Sequence, residues 1–181
     1  MSLRVSFELD ENDLQHFRLI MRAARSAAGH MPPEDIVAGA EDLLRGIEEL
    51  STPGFILERI NKLRLLIRMM TDLDWRLPHR EATRVLSALT YFTEPDDLIP
   101  DQIPGLGFLD DAIMVELVVR ELHHEIEAYE DFCNVRDEVS SELKAQTKAS
   151  RNDWLDGHRK ELQLRMRERS DGADAELRLF D

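Results

Sequence analysis

Apolar residues recur at helical spacing along most of the chain. The first stripe follows Asp10 at intervals of three and four residues and stops before Gly29; it comprises Leu14, Phe17, Met21, Ala24 and Ala28. This spacing places the apolar side chains on one face of an amphipathic helix. Asp10 suits the N-cap position, and the acidic residues after it suit the first turn of a helix. The pattern therefore predicts a helix that begins after Asp10 and ends near Gly29.

Turn residues divide the following sequence into further helices. Pro32 and Pro33 open the second helix, since proline fits the first helical position, and residues 51–54 separate it from the third. The third ends at residues 74–78, because the residue before a proline avoids helical geometry. A fourth helix is predicted for residues 79–93 and a fifth for residues 110–132. The predicted fold is therefore an all-α bundle of four to five helices.

The apolar pattern thins after Arg136, and the sequence then indicates a charged helix to about Arg169. Ser170, Asp171 and Gly172 should end this helix, and the residues beyond them should form a frayed tail. We therefore predict a helical bundle domain in residues 1–135. Residues 136–181 would form a polar helical arm and its tail.

Composition and charge narrow the functional classes. The chain has 43% hydrophobic residues, one cysteine (Cys133) and a net charge of −14, and most of the acidity lies in its second half. An acidic surface repels polyanions, which disfavours nucleic acid and anionic membranes as partners. A helix needs about 20 apolar residues to span a bilayer, and the sequence has no apolar stretch of that length. Its first ten residues are too polar for a signal peptide. A single cysteine fits a reducing compartment, so we predict a soluble cytoplasmic protein.

Residues 94–109 cannot form a regular helix, because they contain three prolines and two glycines. Four of the aspartates in or next to this segment are candidate ligands: Asp97, Asp101, Asp110 and Asp111. Their carboxylates can cap the next helix and hydrogen-bond to main-chain groups in the turns. Alternatively, they converge on a hard cation such as Mg²⁺ or Ca²⁺, which prefers oxygen ligands. A third interpretation is a loop that contacts a partner.

This segment resembles the YkvA-like family, a bacterial family of unknown function (domain of unknown function 1232), over about residues 84–122. The shared pattern runs Pro-x-Asp-Leu-Ile-Pro-Asp from Pro95, then x-Ile-Pro, a glycine-containing turn, and Leu-Asp-Asp from Leu109 to Asp111. Glu94 departs from the pattern, since the family usually has a small polar residue there. The resemblance implies a helical hairpin and supplies no function.

The sequence contains no complete catalytic constellation. Glu121-x-x-His124 has the spacing of a di-iron ligand pair, but the nearest second copy has Asp13 in place of glutamate. We therefore predict a non-enzymatic protein-interaction or scaffold module that binds a protein partner or itself. One alternative is a divalent-cation-binding protein or metal-dependent hydrolase that uses the four aspartates. Another, carried by the resemblance alone, is a peripheral membrane-associated accessory protein.

Overall fold

The computed structural model describes residues 6, 8–49, 53–93, 109–142, 148–172 and 177–181. These residues form an all-α structure, as predicted. Its helices are α1 (Glu11–Ala28), α2 (Pro33–Glu49), α3 (Gly54–Ile60), α4 (Lys62–Thr71), α5 (His79–Thr93), α6 (Leu109–Glu121), α7 (His123–Glu142) and α8 (Lys148–Gly172).

The start of α1 follows the prediction closely. The Asp10 carboxylate accepts hydrogen bonds from the main-chain N–H groups of Asn12 and Asp13, at 2.8 and 3.0 Å. The Asp13 carboxylate in turn accepts from the Asp10 N–H at 3.0 Å. This reciprocal pair satisfies N–H groups that have no partner within the helix, so it fixes the point at which α1 begins.

The helix α5 lies at the centre of the bundle, between α1 and α2, and also touches α4. Val85, Ala88 and Leu89 are buried on it, whereas Ala82 and Leu86, which stand at helical spacing with Leu89, are only half-buried. Its last two turns are buried on nearly all sides because neighbours pack around them. A single apolar stripe in the sequence could not indicate this.

A glycine allows α2 to approach α5 closely. A Cβ atom at Gly39 would lie 2.7 Å from Cγ2 of Thr93, closer than two carbon atoms can pack. Gly46 lies about two turns further along α2, and a Cβ atom there would lie in open space. The absence of a side chain at Gly39 therefore permits the contact between the two helices.

Two of the predicted helices are divided. The third is interrupted at Asn61 into α3 and α4, and the fifth is interrupted at Leu122 into α6 and α7. Main-chain hydrogen bonds continue across the second interruption, from Leu122 N to Val118 O at 2.9 Å and from Ile126 N to Leu122 O at 3.0 Å. The predicted domain boundary after residue 135 falls inside α7, so no helix end marks it, and the division stays a prediction.

Asp72 organises the turn between α4 and α5. Its carboxylate accepts from the Asp74 and Trp75 N–H groups at 3.0 and 3.2 Å, and from the Tyr129 hydroxyl at 3.0 Å. Arg136 donates to both of its oxygens, at 3.0 and 2.8 Å. Burial alone would raise the pKa of Asp72, but these hydrogen bonds hold it below its ordinary value. One carboxylate therefore joins the turn to α7.

The charged arm packs against the bundle. The helix α8 lies along α7 and buries Leu155, Leu162 and Met166 on one face. Gln163 donates to the main-chain oxygen of Trp75 at 2.7 Å. The residues after α8 also differ from the expected frayed tail, since residues 177–181 are folded against the bundle.

Candidate interaction site

The four aspartates of the predicted cation site are only partly described. Asp97 and Asp101 lie outside the described residues. Asp110 and Asp111 occupy the first turn of α6, and each is 4% exposed. Acidic groups are favoured there by the helix dipole, and whether the four aspartates cap turns or bind a cation stays a prediction. Within the described ranges, no group of three or more His, Cys, Asp or Glu residues is arranged to hold a metal ion.

Glu121, His124 and Cys133, which the sequence analysis named, lie on α6 and α7, and His123 lies beside them. His123 is exposed and His124 is half-buried, with ring centroids 3.7 Å apart. Burial, followed by the neighbouring His123, lowers the pKa of His124. Cys133 is half-buried, and Arg136 donates to its sulfur at 3.6 Å. These placements suit packing at the edge of the core.

The structure brings together three charged residues from three different helices. Arg84 on α5 donates to Glu125 on α7 at 2.6 Å and lies 3.6 Å from a carboxylate oxygen of Glu121 on α6. The side chains of Glu125 and Glu121 are only 1% and 6% exposed. We call these three residues the Arg84 cluster. It joins α5 to both halves of the long α6–α7 helix.

Burial dominates the electrostatics of the Arg84 cluster. It raises the pKa of both Glu125 and Glu121, because a charged carboxylate loses hydration there. The Arg84 guanidinium opposes this rise for both carboxyls. Arg84 therefore offsets part of the cost of burying these two carboxylates.

Glu81 adds a further buried carboxylate one turn before Arg84. Its side chain is fully buried, and one oxygen accepts from Nε of Arg80 at 3.0 Å. Arg80 also donates to Asp171 at the end of α8, at 2.9 Å. The second oxygens of Glu81 and Glu125 have no hydrogen-bond partner among the described residues. The end of the arm is thus tied to the same face of α5.

Residues 177–181, which we call the tail segment, lie on α1 in the manner of a bound peptide. Arg18 donates to the main-chain oxygen of Leu177 at 2.8 Å, and Arg25 donates to that of Phe180 at 2.8 Å. A longer contact of 3.4 Å joins Arg22 to the main-chain oxygen of Asp181. Three arginines on one face of α1 therefore hold the segment through its main chain.

The side chains of the tail segment are anchored separately. Leu179 and Phe180 are buried, and the Arg84 guanidinium lies over the Phe180 ring, 5.0 Å from its centroid. Burial raises the pKa of Glu121, and the Leu179 N–H opposes this rise. The Arg84 cluster therefore forms the floor beneath the segment. We call the surface made by α1, Arg84 and Glu121 the tail groove.

The tail groove is not completely filled. Beside the segment lies a cavity of about 540 Å³, which is lined by the second half of α1, by His30 and by the segment itself. The groove offers arginine donors for main-chain oxygens, the face of the Arg84 guanidinium and apolar pockets. This is the chemistry of peptide recognition. The described part of the cavity wall presents neither a serine paired with a general base nor a cysteine.

The comparisons place the chain in a family. The family described as "Protein of unknown function (DUF1232)" matches residues 83–117, which include Arg84 and the first turns of α6. The chain belongs to this YkvA-like family. A relative from Bacillus subtilis (strain 168), "Uncharacterized membrane protein YkvA", is 34% identical over 85 residues, which cover 41% of this chain and 80% of the relative. No solved structure gives a significant match. None of the described helices has the length and apolar character needed to span a bilayer.

Proposed function

We propose that the protein is a non-enzymatic protein-interaction module whose docking site is the tail groove. The observation that supports this proposal is the main-chain recognition of the tail segment by Arg18 and Arg25. A guanidinium that donates to a main-chain oxygen tolerates many side chains at that position of the bound segment. The apolar pockets between such contacts select particular side chains. The occupant we propose is the tail segment of a second copy, because its residues are known to fit.

The energetics favour exchange between copies. Burial of a leucine or phenylalanine side chain contributes roughly 1.5–3 kcal/mol, whether the side chain belongs to the same chain or to another. Exchange of an identical element between protomers conserves every contact of the groove. The net cost of exchange is then mainly the entropy of association, so the exchanged form should increase with protein concentration.

The first test keeps the full chain and disables its own segment. We expect Leu179→Ala/Phe180→Ala to leave the groove open. A fluorescein-labelled peptide with the sequence of residues 177–181 should then bind this variant saturably in fluorescence anisotropy. Wild-type protein should bind the peptide more weakly, because its own segment competes at a high effective concentration.

Two controls separate recognition from nonspecific adhesion. Arg25→Ala, added to the double variant, should abolish peptide binding, whereas Leu164→Ala at an exposed position of α8 should leave it unchanged. Light scattering over a range of concentrations should show dimers of the wild type and fewer dimers of the double variant. If the peptide binds but no dimer forms as the protein concentration rises, the occupant of the tail groove is another protein and not a second copy. A folded double variant that binds no peptide would refute the proposal.

A divalent-cation site remains a second candidate. It is favoured by the burial of two adjacent carboxylates, Asp110 and Asp111, since clustered carboxylates repel each other unless a cation offsets their charge. Bound Mg²⁺ or Ca²⁺ at 100 times its dissociation constant would stabilise the fold by about 2.7 kcal/mol. Chelator-treated protein should then melt a few degrees higher with the cation, and Asp97→Asn/Asp101→Asn should lose this shift. Equal melting temperatures with and without cations would eliminate the candidate.

A further inference from the structure

The tail segment occupies the tail groove as a turn and not as an extended strand. The main-chain N–H of Asp181 donates to the main-chain oxygen of Arg178 at 3.4 Å, which closes the turn. Arg178 itself has a φ angle of 47°. This value lies in the left-handed region, which glycine adopts freely. Other L-residues disfavour it, because their Cβ atom crowds a neighbouring carbonyl oxygen.

Contacts on both sides of Arg178 hold this conformation. On one side, Arg18 donates to the main-chain oxygen of Leu177 at 2.8 Å. On the other side, the Phe180 ring is buried and its main-chain oxygen accepts from Arg25 at 2.8 Å. A change of φ to the ordinary value of about −60° would turn the two halves of the segment by roughly 100° relative to each other. Both sets of contacts therefore require the left-handed conformation between them.

The side chain of Arg178 does not explain why an arginine stands at this position. It is exposed, and it forms no hydrogen bond or ion pair with another described residue. What the groove requires here is thus a backbone conformation and not a side-chain contact. Glycine adopts this conformation without strain and asparagine with little, whereas proline cannot adopt it because its ring fixes φ at about −65°.

We propose that the tail groove selects its ligands by this turn. The preferred ligand has glycine at the position of Arg178, an apolar residue before it, and a leucine and an aromatic residue after it. This inference rests on the proposed docking function and adds which segments the groove accepts. The tail segment of this chain, from either copy, is therefore a strained occupant that a glycine-bearing segment displaces.

Peptides of residues 177–181 that differ only at the second position test this selection. Fluorescence anisotropy measures their binding to the full-length Leu179→Ala/Phe180→Ala variant. The matched pair carries Arg178→D-Ala or Arg178→Ala, so the two peptides have the same composition and opposite backbone preferences. We expect the D-alanine peptide to bind at least about fivefold tighter, because only the L-residue is strained at positive φ. The Arg178→Gly peptide should fall between them, and the Arg178→Pro peptide should not bind saturably.

The same order should appear within the intact protein. Full-length Arg178→Gly should melt about 2–4 °C above Arg178→Ala, since alanine is destabilising where φ is positive. The control is Arg167, an exposed position within α8. There the order should reverse, and Arg167→Gly should melt below Arg167→Ala because glycine has the lower helix propensity.

Equal binding of the D-alanine and L-alanine peptides would overturn the inference and leave the docking function in place. A lower melting temperature for Arg178→Gly than for Arg178→Ala would do the same. If no peptide binds a Leu179→Ala/Phe180→Ala variant that circular dichroism shows to be folded, the docking function and the selection by the turn are both refuted.

Discussion

Replacement of Arg84 by methionine tests the interpretation of the buried charges. Methionine retains much of the length of arginine and can still cover the Phe180 ring, but it removes the positive charge next to Glu121 and Glu125. Removal of one partner of a buried ion pair typically costs 3–5 kcal/mol. We expect a loss of stability in that range at pH 8. At this pH each buried carboxyl must either carry a charge without its partner or take up a proton that is scarce in the solvent.

The loss should depend on pH in a defined direction. Burial already raises the pKa of Glu121 and Glu125 above the ordinary 4.5, and Arg84 opposes this rise. Without Arg84 the folded-state pKa values rise further, so the folded state binds more protons than the unfolded state above pH 4.5. The free energy of unfolding then falls as pH rises, by up to about 1.4 kcal/mol per pH unit for each proton.

Over the three units from pH 5 to pH 8, a proton that the folded state retained throughout would account for at most about 4 kcal/mol. Arg84→Met should therefore be only slightly destabilised at pH 5 and strongly destabilised at pH 8. Urea unfolding followed by circular dichroism at both pH values measures the difference. Adding Glu125→Gln, which removes one buried charge, should restore part of the stability at pH 8. An equal loss at both pH values, or no recovery in the double variant, would refute the reasoning.

Two further predictions concern packing and acid stability. Gly39→Ala should lower the free energy of unfolding by about 1–3 kcal/mol, because its Cβ would collide with α5. Gly46→Ala in the same helix should raise the free energy of unfolding by up to about 1 kcal/mol, because alanine has the higher helix propensity. The melting temperatures of the two variants should therefore shift in opposite directions. Asp72 has a lowered pKa, so its contribution to stability is present above its ordinary pKa of 3.8 and is lost as pH falls through its folded-state value. Asp72→Asn should be less stable at pH 7, and its stability should fall less steeply below pH 4 in an acid titration followed by circular dichroism.

Local signals in the sequence were sufficient for most of the helices. Asp10 and Pro78 mark helix starts through capping and proline geometry, and the structure begins α1 and α5 beside them. The interruption at Asn61 could not be predicted, because the apolar stripe from Ile56 to Met70 continues without a change of period. On the two sides of this interruption, α3 packs against α6 and α4 packs against α2.

The candidate interaction site depends on contacts that no short window of sequence contains. Arg84 meets Glu125 across 41 positions, and Arg18 meets Leu177 across 159. In the sequence Glu125 has the pattern of an exposed charged residue, and Leu179–Phe180 is too short for a period to be visible. The available signal was an apolar pair after Gly172, where a frayed tail should be polar. The predicted cation site, in contrast, comes from one short stretch of sequence. It stays a prediction because Asp97 and Asp101 lie outside the described residues.

The separation of Arg18 from Leu177 also affects how the protein folds. Helices such as α1 form from neighbouring residues within about a microsecond, but the tail groove is completed only when residues 159 positions apart meet. The entropic cost of closing such a loop grows with the logarithm of its length, so it delays this contact more than it weakens it. During that delay Leu179, Phe180 and the groove residues that cover them are exposed together. Refolding at high protein concentration therefore gives a second chain time to reach the groove first, and the ratio of monomer to dimer should record the folding conditions.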